Sequence, residues 1–97
     1  MRYEKHVHDI VKSLYIAPLE TGARNCARDG YTSSAEKYLE YSRILSGYLD
    51  SMAYGFITPQ ECLESCIMIY QRSKETIPQL IQQDFERITN EKAGVTK

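Results

Sequence analysis

Cys62 and Cys66 stand four residues apart. On an α-helix that spacing puts both thiols on one face, where two thiolates could hold a zinc ion. The other two ligands of a tetrahedral site are missing at any recognisable spacing, and free cysteine is among the most buried residue types, so the pair reads as core. His6 and His8 are two apart and point to nearly opposite sides of a helix, which keeps them from sharing one metal; they read as surface residues that gain charge below about pH 6.5. Serines, cysteines and histidines are present, but none lies in a nucleophile elbow or at a spacing that sets a base beside it, and no glycine-rich phosphate loop occurs. Glu61 and Glu64 fall at the start of a helix, where carboxylates complement the positive end of the dipole. No cofactor, no metal and no enzymatic activity are expected.

Two other groups of residues bear on binding. Arg24 and Arg28, with Lys12 and Arg2, could face phosphates if their segment is helical. The whole chain, however, carries twelve basic and thirteen acidic residues for a formal charge of -1, so no bulk term draws it to nucleic acid or an anionic membrane. The compositional excess is tyrosine: eight, against two phenylalanines and no tryptophan. A small core needs only a handful of large rings, and tyrosine is enriched at protein interfaces because it offers area and a polar tip at low rotamer entropy. Tyr38, Tyr41 and Tyr48, assisted by Arg24 and Arg28, form the expected contact edge; the alternative is that these rings roof the core of a small bundle, so that Tyr41 and Tyr48 belong to interface or to core.

These side chains must be positioned by helices. The 97 residues leave room for one domain that buries roughly 60 to 65% of its unfolded surface. A hydrophobic fraction of 42% with 26% charged residues fits a folded globular chain. The longest apolar run, Cys66 to Tyr70, is far short of the roughly 20 residues that span a bilayer. Three cysteines, an odd number, and no charged n-region followed by an apolar h-region argue against a secreted disulfide framework, which places the expected location in the cytoplasm.

The spacing predicts an all-α fold, a small antiparallel bundle of four helices, or five if residues 18–32 form one, with a single domain over 1–92 and a frayed tail over 93–97. The first helix carries Tyr3, Val7, Ile10, Val11 and Leu14 inward and stops before Pro18, since the residue preceding a proline avoids the α region. The next starts at Ser33 with a capping box to Glu36 and runs to about Tyr54, burying Tyr38, Leu45, Leu49 and Met52. A tight hairpin at 54–59 follows: Gly55 ends one helix, Thr58 caps the next, Pro59 takes the first position and Glu61 closes the box. Cys62, Cys66 and Ser73 face inward on that helix. A break near residues 76–78 is predicted because Pro78 would cost about 3 kcal/mol inside an unbroken helix and Thr76 to Gln79 repeats the box. A last helix then buries Ile77, Leu80, Ile81, Phe85 and Ile88.

With catalysis unsupported, the expected function is that of a small interaction protein that binds a larger protein and inhibits or redirects it, as phage or plasmid accessory proteins, immunity proteins and antitoxins do. The alternative is a homo-oligomeric nucleic-acid-associated regulator that pairs two N-terminal basic patches.

Overall fold

A computed structural model describes residues 2–95. The chain is all helical, with α1 (Arg2–Val11), a π-helical turn (Lys12–Ile16), α2 (Ala17–Arg28), α3 (Thr32–Ala53) and α4 (Pro59–Val95). Because α1, the π turn and α2 are continuous, these make three long rods, not a bundle of four or five helices. Tyr3 donates a hydrogen bond to Gln60 and Arg87 donates one to the Gly30 carbonyl, partners 57 residues apart in both cases. The first and last rods therefore run parallel, in register, with α3 antiparallel to them. The radius of gyration is 16.5 Å and the extents are 62 × 19 × 17 Å, against about 12.5 Å for a compact chain of this length.

Two prolines that were expected to end helices do not. Ahead of Pro18 the helix widens: the Ala17 N–H reaches back five residues to the Lys12 carbonyl, so the turn accommodates a ring that brings no N–H of its own. The extra residue also shifts the inward stripe. Val7 and Val11 are followed by buried Ile16, Leu19 and Ala23, while Leu14, expected inward, is 57% exposed. Residues 18–32 thus resolve into α2 and a short turn in which Gly30 takes φ +84°.

Pro78 lies inside α4 with no break at 76–78. Its ring is on the exposed side, where the carbonyl deprived of a donor can be solvated, and the stripe Cys62, Cys66, Ser73, Ile77 and Asp84 passes through without a phase change. Packing of one continuous face against α3 outweighs the local cost of about 3 kcal/mol. Thr76 caps nothing; its hydroxyl accepts a bond from the Tyr41 hydroxyl at 3.3 Å. Phe85, predicted inward, is 52% exposed, and Asp84 takes the buried position. Of the tail expected over 93–97, the backbone is helical to Val95 and residues 96–97 lie outside the described residues.

The start of α3 also departs from the sequence reading. Tyr31, not Ser33, precedes the helix and makes no side-chain cap bond. Instead, Asp84 of α4 accepts from the Ser34 N–H at 2.8 Å and the Ser34 hydroxyl at 2.7 Å, a cap supplied from fifty residues away. Arg87 completes the cluster by bonding both Asp84 and the Gly30 carbonyl. Burial pushes the Asp84 carboxyl up, but the Ser34 hydroxyl and N–H and the Arg87 guanidinium outweigh it and hold it below the usual carboxylate range. Among the described residues no buried side-chain polar atom lacks a partner.

Candidate functional site

The hairpin between α3 and α4 is built from short-range bonds. Gly55 adopts φ +81°, its N–H reaches the Met52 carbonyl at 3.0 Å, and the Phe56 N–H reaches Ser51 at 2.9 Å. These are the two bonds of a Schellman stop, and the positive φ is the reason for glycine there. On the other side the Thr58 N–H donates to the Glu61 carboxylate at 2.9 Å, and the Glu61 N–H donates to the Thr58 hydroxyl at 3.1 Å. The Thr58 N–H, and then its hydroxyl, hold the Glu61 carboxyl below its ordinary value. Ile57 packs half-buried against the core, which ties the turn to the bundle.

This stiff turn holds Tyr54 and Phe56 outward at 78% and 80% exposure. Their ring centroids are 6.2 Å apart and tilted by 45°, a geometry in which each ring supports the other. Local bonds fix the backbone that carries both rings.

A second feature lies midway along the rod. α1 packs on α4, but no Cα of α2 comes within 8 Å of one in α4, so the two parallel rods separate at the level of the prolines. The groove between them has a volume of about 440 Å³ and is lined by Pro18 and Leu19, by Tyr38 of α3, and along α4 by Tyr70, Lys74, Ile77 and Ile81 among others. A Cβ on Gly22 would sit 2.6 Å from the Tyr38 ring; glycine at that point lets the ring lie against the α2 backbone. The Tyr15 and Tyr70 rings meet tilted by 49° with centroids 4.8 Å apart, and the Lys74 ammonium lies 5.0 Å from the centre of the Tyr70 ring, a cation–π contact. Burial, then the neighbouring Cys26 and Tyr70, raise the Tyr38 phenol, which stays a protonated donor at neutral pH.

The residues singled out from sequence are dispersed. Tyr41 is only 8% exposed, which takes its ring out of the expected outward edge, while Tyr38 and Tyr48 pack half-buried against the core. The Tyr41 ring is interior and that of Tyr48 half-buried because α3 is the middle rod and buries a broad arc. Arg24 and Arg28 are exposed on α2. Arg24 bonds Thr21 at 3.3 Å and borders a shallow groove with Glu20 and Leu39, while Arg28 pairs with Asp29 at 3.6 Å. The Arg2 side chain lies outside the described residues. Phe56 and Lys74 carry no role in the sequence reading, and Tyr70 is placed there only on the buried side of its helix. The legible signal for the first was two aromatics flanking a glycine in a turn too short to bury them.

Cys62 and Cys66 are fully buried in the core. The Cys62 thiol faces the Tyr48 carbonyl at 3.6 Å, and burial, with Cys62 beside it, pushes the Cys66 thiol up to about 12; both pack as small neutral side chains. Burial, then the charges of Asp84 and Asp29, raise Cys26 as well. Among the described residues no three His, Cys, Asp or Glu side chains are grouped to hold a metal ion, and no helix is long and apolar enough to cross a membrane. Comparisons of the chain with family models, with curated proteins and with solved structures return no match.

Proposed function

We propose that this chain is a non-enzymatic interaction protein that binds a larger protein and inhibits or redirects it by seating the Tyr54–Phe56 hairpin end in an apolar pocket of that partner. The observation that supports this reading is the pair of rings held nearly four-fifths exposed by backbone bonds on both sides. Aromatic anchors that lose little freedom on docking carry most of the energy of protein interfaces. A rod 62 Å long with its rings at one end can reach into a cleft that a rounder domain of equal mass could not enter. Accessory proteins of phages and plasmids, immunity proteins and antitoxins bind a larger protein and block or redirect it, and the chain is proposed to belong among proteins of that kind.

The test is affinity capture from the native cell with wild-type protein and with the Tyr54→Ser, Phe56→Ser double variant. The expected result is one protein partner retained by the wild type and bound at least thirtyfold more weakly by the variant, on the order of 2 kcal/mol. Thermal stability should be unchanged within about 0.5 kcal/mol, since both rings are at the surface. Equal retention of the partner by the variant would remove the hairpin from the reading. Recovery of nucleic acid in a salt-sensitive complex would replace it with the regulator alternative.

A further inference from the structure

We infer that the groove between α2 and α4 is a binding site for a small apolar carboxylate, a hydrocarbon chain of medium length with one anionic head. The groove is a consequence of the helices themselves. Pro18 and Pro78 put short, rigid side chains at the same level of two parallel rods, α2 leaves α4 beyond that level, and Tyr38 and Tyr70 form part of the lining below. Its volume, about 440 Å³, is within the range of ordinary small-molecule sites, which are apolar troughs with a few placed polar groups.

Leu19, Ile77, Ile81 and the two prolines supply the apolar wall. Lys74 is the one lining residue that is charged at neutral pH, so the complementary head is an anion. One ammonium, with no arginine fork and no helix N-terminus at the groove, matches a single negative charge better than the double charge of a phosphate monoester. The far end sets the direction. Asp84 lies beyond Ile81 on α4 and is already satisfied by Ser34 and Arg87, which leaves the Lys74 end for the head and the Ile81 end for the tail. Holding Lys74 over the Tyr70 ring keeps its ammonium at the groove before the ligand arrives. This site and the hairpin end are separate surfaces, and either can fail without the other.

The purified 97-residue protein is titrated with sodium decanoate, decanol and decyltrimethylammonium, each below its micelle-forming concentration, and amide shifts are followed by NMR. Decanoate should give saturable shifts centred on residues 18–22, Tyr38 and 70–81. Decanol should bind more weakly, and the cation should give no saturable shift. Lys74→Glu should weaken decanoate about tenfold with no loss of melting temperature, and Lys74→Gln should weaken it in the same direction. Binding of the cation or the alcohol as tight as that of decanoate would overturn the assignment. So would unchanged affinity in both Lys74 variants, shifts centred on the Tyr54–Phe56 hairpin, or no saturation with decanoate.

Discussion

The starts of α3 and α4 solve the same problem by opposite means. Each helix begins with N–H groups that have no partner within the helix. At α4 the partners are three residues apart: the Thr58 hydroxyl and the Glu61 carboxylate exchange bonds across one turn, in solvent. At α3 the partner is Asp84, fifty residues away on another rod, buried at 2% exposure and receiving both the N–H and the hydroxyl of Ser34. The local cap sharpens a turn and presents two rings; the distant one locks α4 onto α3 and, through Arg87, onto the end of α2. A cap in water replaces bonds that water could make, whereas a buried cap is the alternative to no bond at all.

That difference sets the order of the expected effects. Asp84→Ala leaves the buried Ser34 hydroxyl and N–H without an acceptor and removes one of the two carboxylates that Arg87 meets, Glu91 staying at 3.3 Å. It should lower unfolding free energy by about 2 to 4 kcal/mol in urea titrations, and a loss under 1 kcal/mol would reduce the cluster to an ornament of packing. The same carboxylate should show in acid. Its folded value is held below the unfolded one, so its contribution is complete above the unfolded value of about 3.9 and is lost as pH falls through the folded value. Thermal melts from pH 6 down to 2 should therefore fall more steeply for the wild type than for Asp84→Asn, and parallel curves would show that Asp84 does not carry the acid sensitivity. Smallest is Thr58→Ala, which should cost about 1 kcal/mol and loosen the hairpin. If it instead matched Asp84→Ala, the contrast between local and distant capping would collapse.

Residues that act on near neighbours were legible in sequence. Gly55, Thr58, Pro59 and Glu61 lie within one turn of the groups they serve, and their spacing alone specified the hairpin at 54–59. The inward positions of Val7, Val11, Leu45, Leu49, Cys62 and Cys66 followed from helical period for the same reason. The prolines were misread because a local cost was weighed without the packing that offsets it. A π turn absorbs Pro18 and an exposed face absorbs Pro78, and both outcomes depend on neighbours tens of residues distant. The tyrosines show the same limit from the other side. Composition announced an excess of rings, but only the placement of α3 between two rods decided that Tyr41 is interior and Tyr54 is not.

By itself the sequence determined that the chain is helical, where its hairpin lies and that Val7, Val11, Leu45, Leu49, Cys62 and Cys66 face inward, because propensity, capping and periodicity act within a few residues. The tertiary structure decided that there are three rods rather than four or five, that Asp84 caps a helix it does not belong to, and that a groove opens between α2 and α4. Each of these depends on burial, and burial is a property of how rods meet, which no window along the chain contains.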